Sequence, residues 1–85
     1  MKFLLKMTWK QQPNEEMMAL MPAEQARVME LIEQGVQEAD YLAADQSTAW
    51  VVWNCDSRDE VVETTKTLPM HQYFDTEITP LADKG

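Results

Sequence analysis

Histidine and cysteine each occur once in this chain of 85 residues, at His71 and Cys55, and glycine only twice, at Gly35 and Gly85. One histidine and one cysteine cannot build a His- or Cys-based metal cluster, so no metal site is expected. A lone cysteine rules out an internal disulfide, and no oxidising compartment is required. Cys55, inside a strand-like run, reads as a small buried hydrophobe. With so little glycine there is no loop able to cradle phosphates, which argues against a nucleotide site. Positive charge is scarce as well: seven basic side chains stand against fifteen acidic ones, a net charge of −8. That balance argues against nucleic acid, whose phosphates call for a basic stripe, and against an anionic membrane surface. No apolar run approaches membrane-spanning length. Met1-Lys2 is followed by only three apolar residues before Lys6, too few for a secretion signal, so a cytoplasmic protein is expected. Ser47 and Ser57 sit where turn and cap roles suffice, and no nucleophilic triad has a context.

What the chain has is methionine, seven in all, and well-punctuated secondary structure. Met17, Met18, Met21 and Met29 gather in the first helical region, where adaptable side chains suit a contact surface. The length fits one domain spanning residues 1–85. Lys2 to Trp9 alternates as a strand, with Phe3, Leu5, Met7 and Trp9 on one face and Lys2, Leu4, Lys6 and Thr8 on the other. After a polar loop, Asn14 can cap a short helical piece over Glu15–Met21. The main helix is expected over Pro22–Gln34, with Ala26, Val28, Met29, Leu31 and Ile32 as its apolar stripe and Gly35 as a left-handed stop. Val36 to Ala44 reads as a weaker strand, Asp45-Gln46-Ser47 as a turn, and Thr48–Asn54 as the strongest strand. Ser57 and Glu60 form a capping box for a second helix running to about Thr67.

Pro69 separates that helix from a last strand over Tyr73–Thr79, which Pro80 is expected to end. In this strand Phe74, Thr76 and Ile78 make one face, and Tyr73, Asp75, Glu77 and Thr79 the other. The order is βαββαβ, the ferredoxin-like α+β pattern, with an antiparallel four-stranded sheet and both helices on one face. Thr48–Asn54 is apolar toward both sides, so something must cover the sheet's second face, and a second copy of the chain is the simplest cover. At least a homodimer is therefore expected.

Such a sheet sets its fourth strand beside its first, which makes Lys6 a neighbour of Asp75 or Glu77. A cation beside one carboxylate keeps it charged, while burial raises the pKa of another toward the range of a general acid or base. The same pair serves equally to fix the sheet or the dimer. His71, in the loop before the last strand, suits proton transfer or a plain capping role. Tyr73 can donate a hydrogen bond to a ligand carbonyl or cap the sheet edge. Trp50 and Trp53 point to opposite faces, so one of them lies in an interface or a pocket. With Trp9 they are candidates for the wall of a site holding a flat apolar molecule.

Leu68, Pro69, Tyr73, Asp75, Glu77, Thr79, Pro80 and Leu81 resemble the closing segment of the muconolactone isomerase family. The resemblance runs back through Asp56-Ser57, the Trp50–Trp53 strand and Gly35, and reaches Phe3 and Met7. It departs on the first strand, where the family's His-x-Arg arrangement is replaced by Leu4 and Lys6, and after Gly35, where Val36-Gln37-Glu38 stands in place of Trp and Arg. It implies a ferredoxin-like fold paired into a dimeric α/β barrel. It also implies an isomerase without metal or organic cofactor that moves a proton next to the carbonyl of a small lactone or unsaturated acid. In that reading Asp75, Glu77 or His71 exchanges the proton and Lys6 stabilises the developing oxyanion. Two other readings remain: a binding or assembly module that keeps the fold without the chemistry, and, by fold analogy alone, cofactor-free oxygenation of an aromatic substrate.

Overall fold

In the computed structural model, which describes residues 1–82, the elements follow in the order β1 (Lys2–Trp9), α1 (Glu15–Met18), α2 (Met21–Glu33), β2 (Gln37–Leu42), β3 (Thr48–Asn54), α3 (Arg58–Thr65) and β4 (Phe74–Leu81), with a 3-10 turn at His71–Tyr73. Residues 83–85, the end of the expected domain, lie outside the described residues. The strands form one antiparallel sheet in the order β2-β3-β1-β4, so the two most apolar strands are central. This is the ferredoxin-like α+β arrangement.

Each helix begins and ends where local chemistry dictates. The Asn14 side chain accepts the Met17 N–H at 2.8 Å and starts α1. Pro22 stands in the first turn of α2, where its missing N–H costs nothing. Gly35, at φ +76°, lets α2 close with two reversed bonds, from Gly35 N–H to the Ile32 carbonyl and from Val36 N–H to that of Leu31. The Ser57 hydroxyl accepts the Glu60 N–H at 3.2 Å, and the Glu60 carboxylate reaches back past the cap to the Asp56 N–H at 3.0 Å.

The core lies between the helices and one face of the sheet. Phe3, Leu5 and Met7 of β1 and Val51 and Trp53 of β3 meet Leu31 of α2, Val61 of α3 and Leu68, with Cys55 buried among them. Phe74 and Ile78 close the core from β4. Fully burying a side chain of this size stabilises by about 1.5–3 kcal/mol relative to leaving it in water.

Two sequence expectations need correction, and β2 adds a feature that the sequence does not announce. The apolar stripe of α2 is narrower than the composition suggests. Leu31 is buried and Val28 half-buried, but Met29 and Ile32 are 54% and 44% exposed, and Ala26 is exposed. Pro80 does not end β4, which runs on to Leu81 with Pro80 opposite Phe3. An edge strand tolerates proline because alternate N–H groups face away from the sheet. In β2 the register shifts between Gln37 and Ala39, so both lie against consecutive residues of β3, Trp53 and Val52. This bulge turns Gln37 inward although Ala39 and Tyr41 face outward. The buried Gln37 Oε1 accepts the Trp53 indole N–H at 3.0 Å, giving that core donor its partner.

No helix among the described residues is long and apolar enough to cross a membrane.

Candidate functional site

The two faces of the sheet offer two different settings. On the helix side, the α1–α2 segment stands off from the ends of β1, β3 and β4 and leaves a cavity of two adjoining lobes. The larger has a volume of about 650 Å³ and the smaller about 340 Å³. Met18, Met21, Met70 and the Trp9–Phe74 pair give the larger lobe its apolar wall. The two rings stack with centroids 4.3 Å apart at 30°. The Trp9 indole also donates to the Gln46 carbonyl at 3.1 Å, which ties the β2–β3 turn to that wall. Gln46 itself adopts φ 65°, the left-handed conformation of a tight turn.

Glu24 lines both lobes. It lies four residues before Val28 and seven before Leu31, on the inward stripe of α2. Its carboxylate accepts the Met70 N–H at 3.0 Å. Burial raises its pKa above the ordinary carboxylate value, against smaller lowering effects of the Met70 hydrogen bond and the His71 charge. Such a group is a stronger base once ionised and a ready acid while protonated. Sequence reasoning missed it, although its place on the stripe was the available signal: a carboxyl where an apolar residue belongs.

The other face carries half of the candidates named from the sequence. Tyr41, Trp50, Lys6 and Glu77 stand opposite one another in a single row across all four strands. Ala39, Val52, Leu4 and Thr79 form the next row, while Asp75 stands opposite Thr8 on the other side. Lys6 and Glu77 are thus neighbours, as the topology requires. Both are exposed, and the ion pairs found among the described residues are Lys2–Glu38, Arg27–Glu30 and Lys66–Glu63. The sheet itself separates this row from Glu24, because Leu5 and Met7 on either side of Lys6 point to the helices.

The remaining candidates divide between the two settings. Trp9 is in the cavity wall. Trp53 is buried in the core with one edge on the smaller lobe, and Trp50 faces outward. His71 lies in the 3-10 turn next to Met70, with Nδ1 3.1 Å from the Leu68 carbonyl. A carbonyl only accepts, so Nδ1 carries hydrogen and Nε2 is left for another partner. Tyr73 ends that turn, half-buried, with its backbone carbonyl accepting the Lys10 N–H at 2.8 Å.

Comparison with known proteins agrees with this architecture. The family described as Muconolactone delta-isomerase matches residues 1–85. Among solved structures, a crystal structure of muconolactone isomerase superposes with a TM-score of 0.83 at 23% identity, covering 98% of this chain and 90% of that one. A 5-chloro-2-hydroxyhydroquinone dehydrochlorinase from Burkholderia phenoliruptrix AC1100, in complex with 2,5-dihydroxybenzoquinone, gives a TM-score of 0.68 at 16% identity over 96% of this chain and 94% of that one. At these identities the two structures speak for the fold alone. No curated protein sequence matches the chain.

Proposed function

Because the chain belongs to the muconolactone delta-isomerase family, we propose that it is an isomerase that shifts a proton next to the carbonyl of a small lactone or related unsaturated acid. The observation that carries this reading is Glu24, a carboxyl raised by burial at the junction of two apolar lobes. In the reaction the Glu24 carboxylate removes a proton from the carbon beside the carbonyl or conjugated to it. The electron pair spreads into the ring as a dienolate, and the same carboxyl returns the proton at the other end. The double bond moves, nothing is oxidised, and one residue serves as base and then as acid. No metal or organic cofactor is needed for such a shift. The Trp9–Phe74 stack holds the ring flat, and the flat dihydroxybenzoquinone held by the structurally similar dehydrochlorinase is in keeping with a site of that shape.

A homodimer completes the reading. Trp50, Val52, Leu4 and Ala39 give the outward sheet face an apolar centre, and a second copy laid sheet to sheet would cover it.

The Lys6–Glu77 row favours a second reading, in which the chemistry lies between the paired sheets. There Glu77 or Asp75 exchanges the proton and Lys6 stabilises the oxyanion, with Trp50 and Tyr73 against the ligand. His71 belongs with Glu24 in the first reading, as a nearby charge and a route to solvent.

The test is exchange of the proton beside the carbonyl in deuterated water, followed by NMR over a panel of unsaturated lactones. Catalysed exchange with migration of the double bond supports an isomerase. Tight binding without exchange anywhere in the panel would make the protein a binding module of the same fold.

A further inference from the structure

The smaller lobe is the apolar end of the cavity. Met7, Val51 and Trp53 of the sheet, Val28 of α2 and Leu68 form its walls, and all but Val28 belong to the buried core. The polar groups that border it are already engaged, and Asp40 stands at its exposed rim. Gln37 Oε1 accepts the Trp53 indole N–H at 3.0 Å, and Gln37 Nε2 donates to the Asp40 carboxylate at 3.5 Å. The Glu24 carboxylate accepts the Met70 N–H. Among the described residues no buried side-chain nitrogen or oxygen lacks a hydrogen-bond partner. At about 340 Å³ the lobe far exceeds the roughly 30 Å³ share of one water, and its walls give ordered water few anchors.

Four side chains border both lobes and so frame the passage between them: Glu24, Leu42, Ala49 and Phe74. Ala49 is the smallest. It stands between Met7 and Leu42 in one row across the sheet, on the face that Met7 turns to the helices. A larger residue there would narrow the passage. Charge gathers on the far side of it, where Met70 borders the larger lobe and the charge of the adjoining His71 acts on Glu24. Glu24 and His71 are opposite in sign, so that end sets no bar against an acid arm on the ligand.

We propose that the smaller lobe is a subsite for an apolar substituent on the substrate ring, an alkyl chain of several carbons, and that Ala49 sets how far the chain reaches. This rests on the proton-shift reading above, with the ring against the Trp9–Phe74 stack and Glu24 at its edge, and it adds the substituent to the substrate class.

The test is a series of five-membered unsaturated lactones carrying hydrogen, methyl, propyl or pentyl at each ring carbon in turn, with and without an acetic acid arm. Binding to the full chain is measured by calorimetry. At the best ring position, affinity should rise about fourfold for each carbon that enters the lobe. Two variants narrow the lobe from different sides, Ala49→Leu at the passage and Val28→Phe in the wall. Each should flatten the rise relative to its own unsubstituted lactone. The proposal is overturned if wild-type affinity is level or falls with chain length at every ring position, if no member binds at millimolar concentration, or if the rise survives in both folded variants. Failure of the isomerase reading looks different: affinity would rise with chain length, but no member of the series would show proton exchange.

Discussion

The Met70 N–H reaches the Glu24 carboxylate at 3.0 Å across 46 positions of sequence, joining α2 to the segment that follows α3. The bond fixes the carboxyl where the two lobes meet, and it is too weak to cancel the effect of burial on its pKa. Folding therefore raises Glu24 above its ordinary value of 4.5. In the window between that value and the raised one, the folded chain binds more protons than the unfolded chain. Stability should fall as pH rises through the window and level off above it. Glu24→Gln removes this contribution. Urea unfolding of both proteins across the acidic range should show wild type losing ground to the variant as pH rises; a gain instead would mean the carboxylate is favoured by folding.

Gln37 is a structural counterpart. Replacing it with leucine leaves the buried Trp53 indole N–H without its acceptor, which should cost about 1–3 kcal/mol in urea unfolding. In Trp53→Phe the donor is gone, and the added cost of the Gln37 change should then be much smaller. Equal costs in both backgrounds would contradict the role assigned to this bond.

Cys55 should behave as core. Burial, then the nearby Glu60 charge, raises its thiol above the ordinary value. A disulfide reagent at neutral pH should label it slowly in the native protein and fast in urea. Immediate labelling of the folded chain would place the thiol at the surface.

Much of the fold was legible because short-range rules and the sheet pattern agree. Phe3, Leu5 and Met7 alternate cleanly, Asn14 and Ser57 cap, Gly35 terminates, and the neighbouring of Lys6 and Glu77 follows from strand order. The β2 bulge was not legible, since no residue in Val36-Gln37-Glu38 announces it and the indole that Gln37 accepts from lies 16 positions further on. Nor was the cavity. Periodicity assigned Met29 and Ile32 to the stripe of α2 and passed over Glu24, because patterning counts apolar residues and treats an inward carboxylate as noise. The depth of the gap between α2 and the β3 end of the sheet depends on how the α1 segment packs, and sequence periodicity carries no such distance.

The outward row gives a prediction about assembly. Trp50→Asp sets a charge at the centre of the proposed pairing face while leaving the helix side of β3 untouched. Scattering mass should fall from that of a pair to that of one chain, with the far-UV circular dichroism retained. A wild type that is already one chain at micromolar concentration would remove the pairing.

The central claim is that Glu24 carries the proton. Its most direct measurement is kcat/KM for proton exchange on the best lactone of the panel, compared among wild type, Glu24→Gln and Lys6→Met, each confirmed as folded. Loss of the general base should lower the rate about 10²–10⁴-fold in Glu24→Gln, while Lys6→Met stays within a few-fold of wild type. The reverse pattern, with Glu24→Gln nearly active and Lys6→Met reduced by about 10²–10³-fold as for a lost oxyanion donor, would contradict the claim and move the chemistry to the space between the sheets.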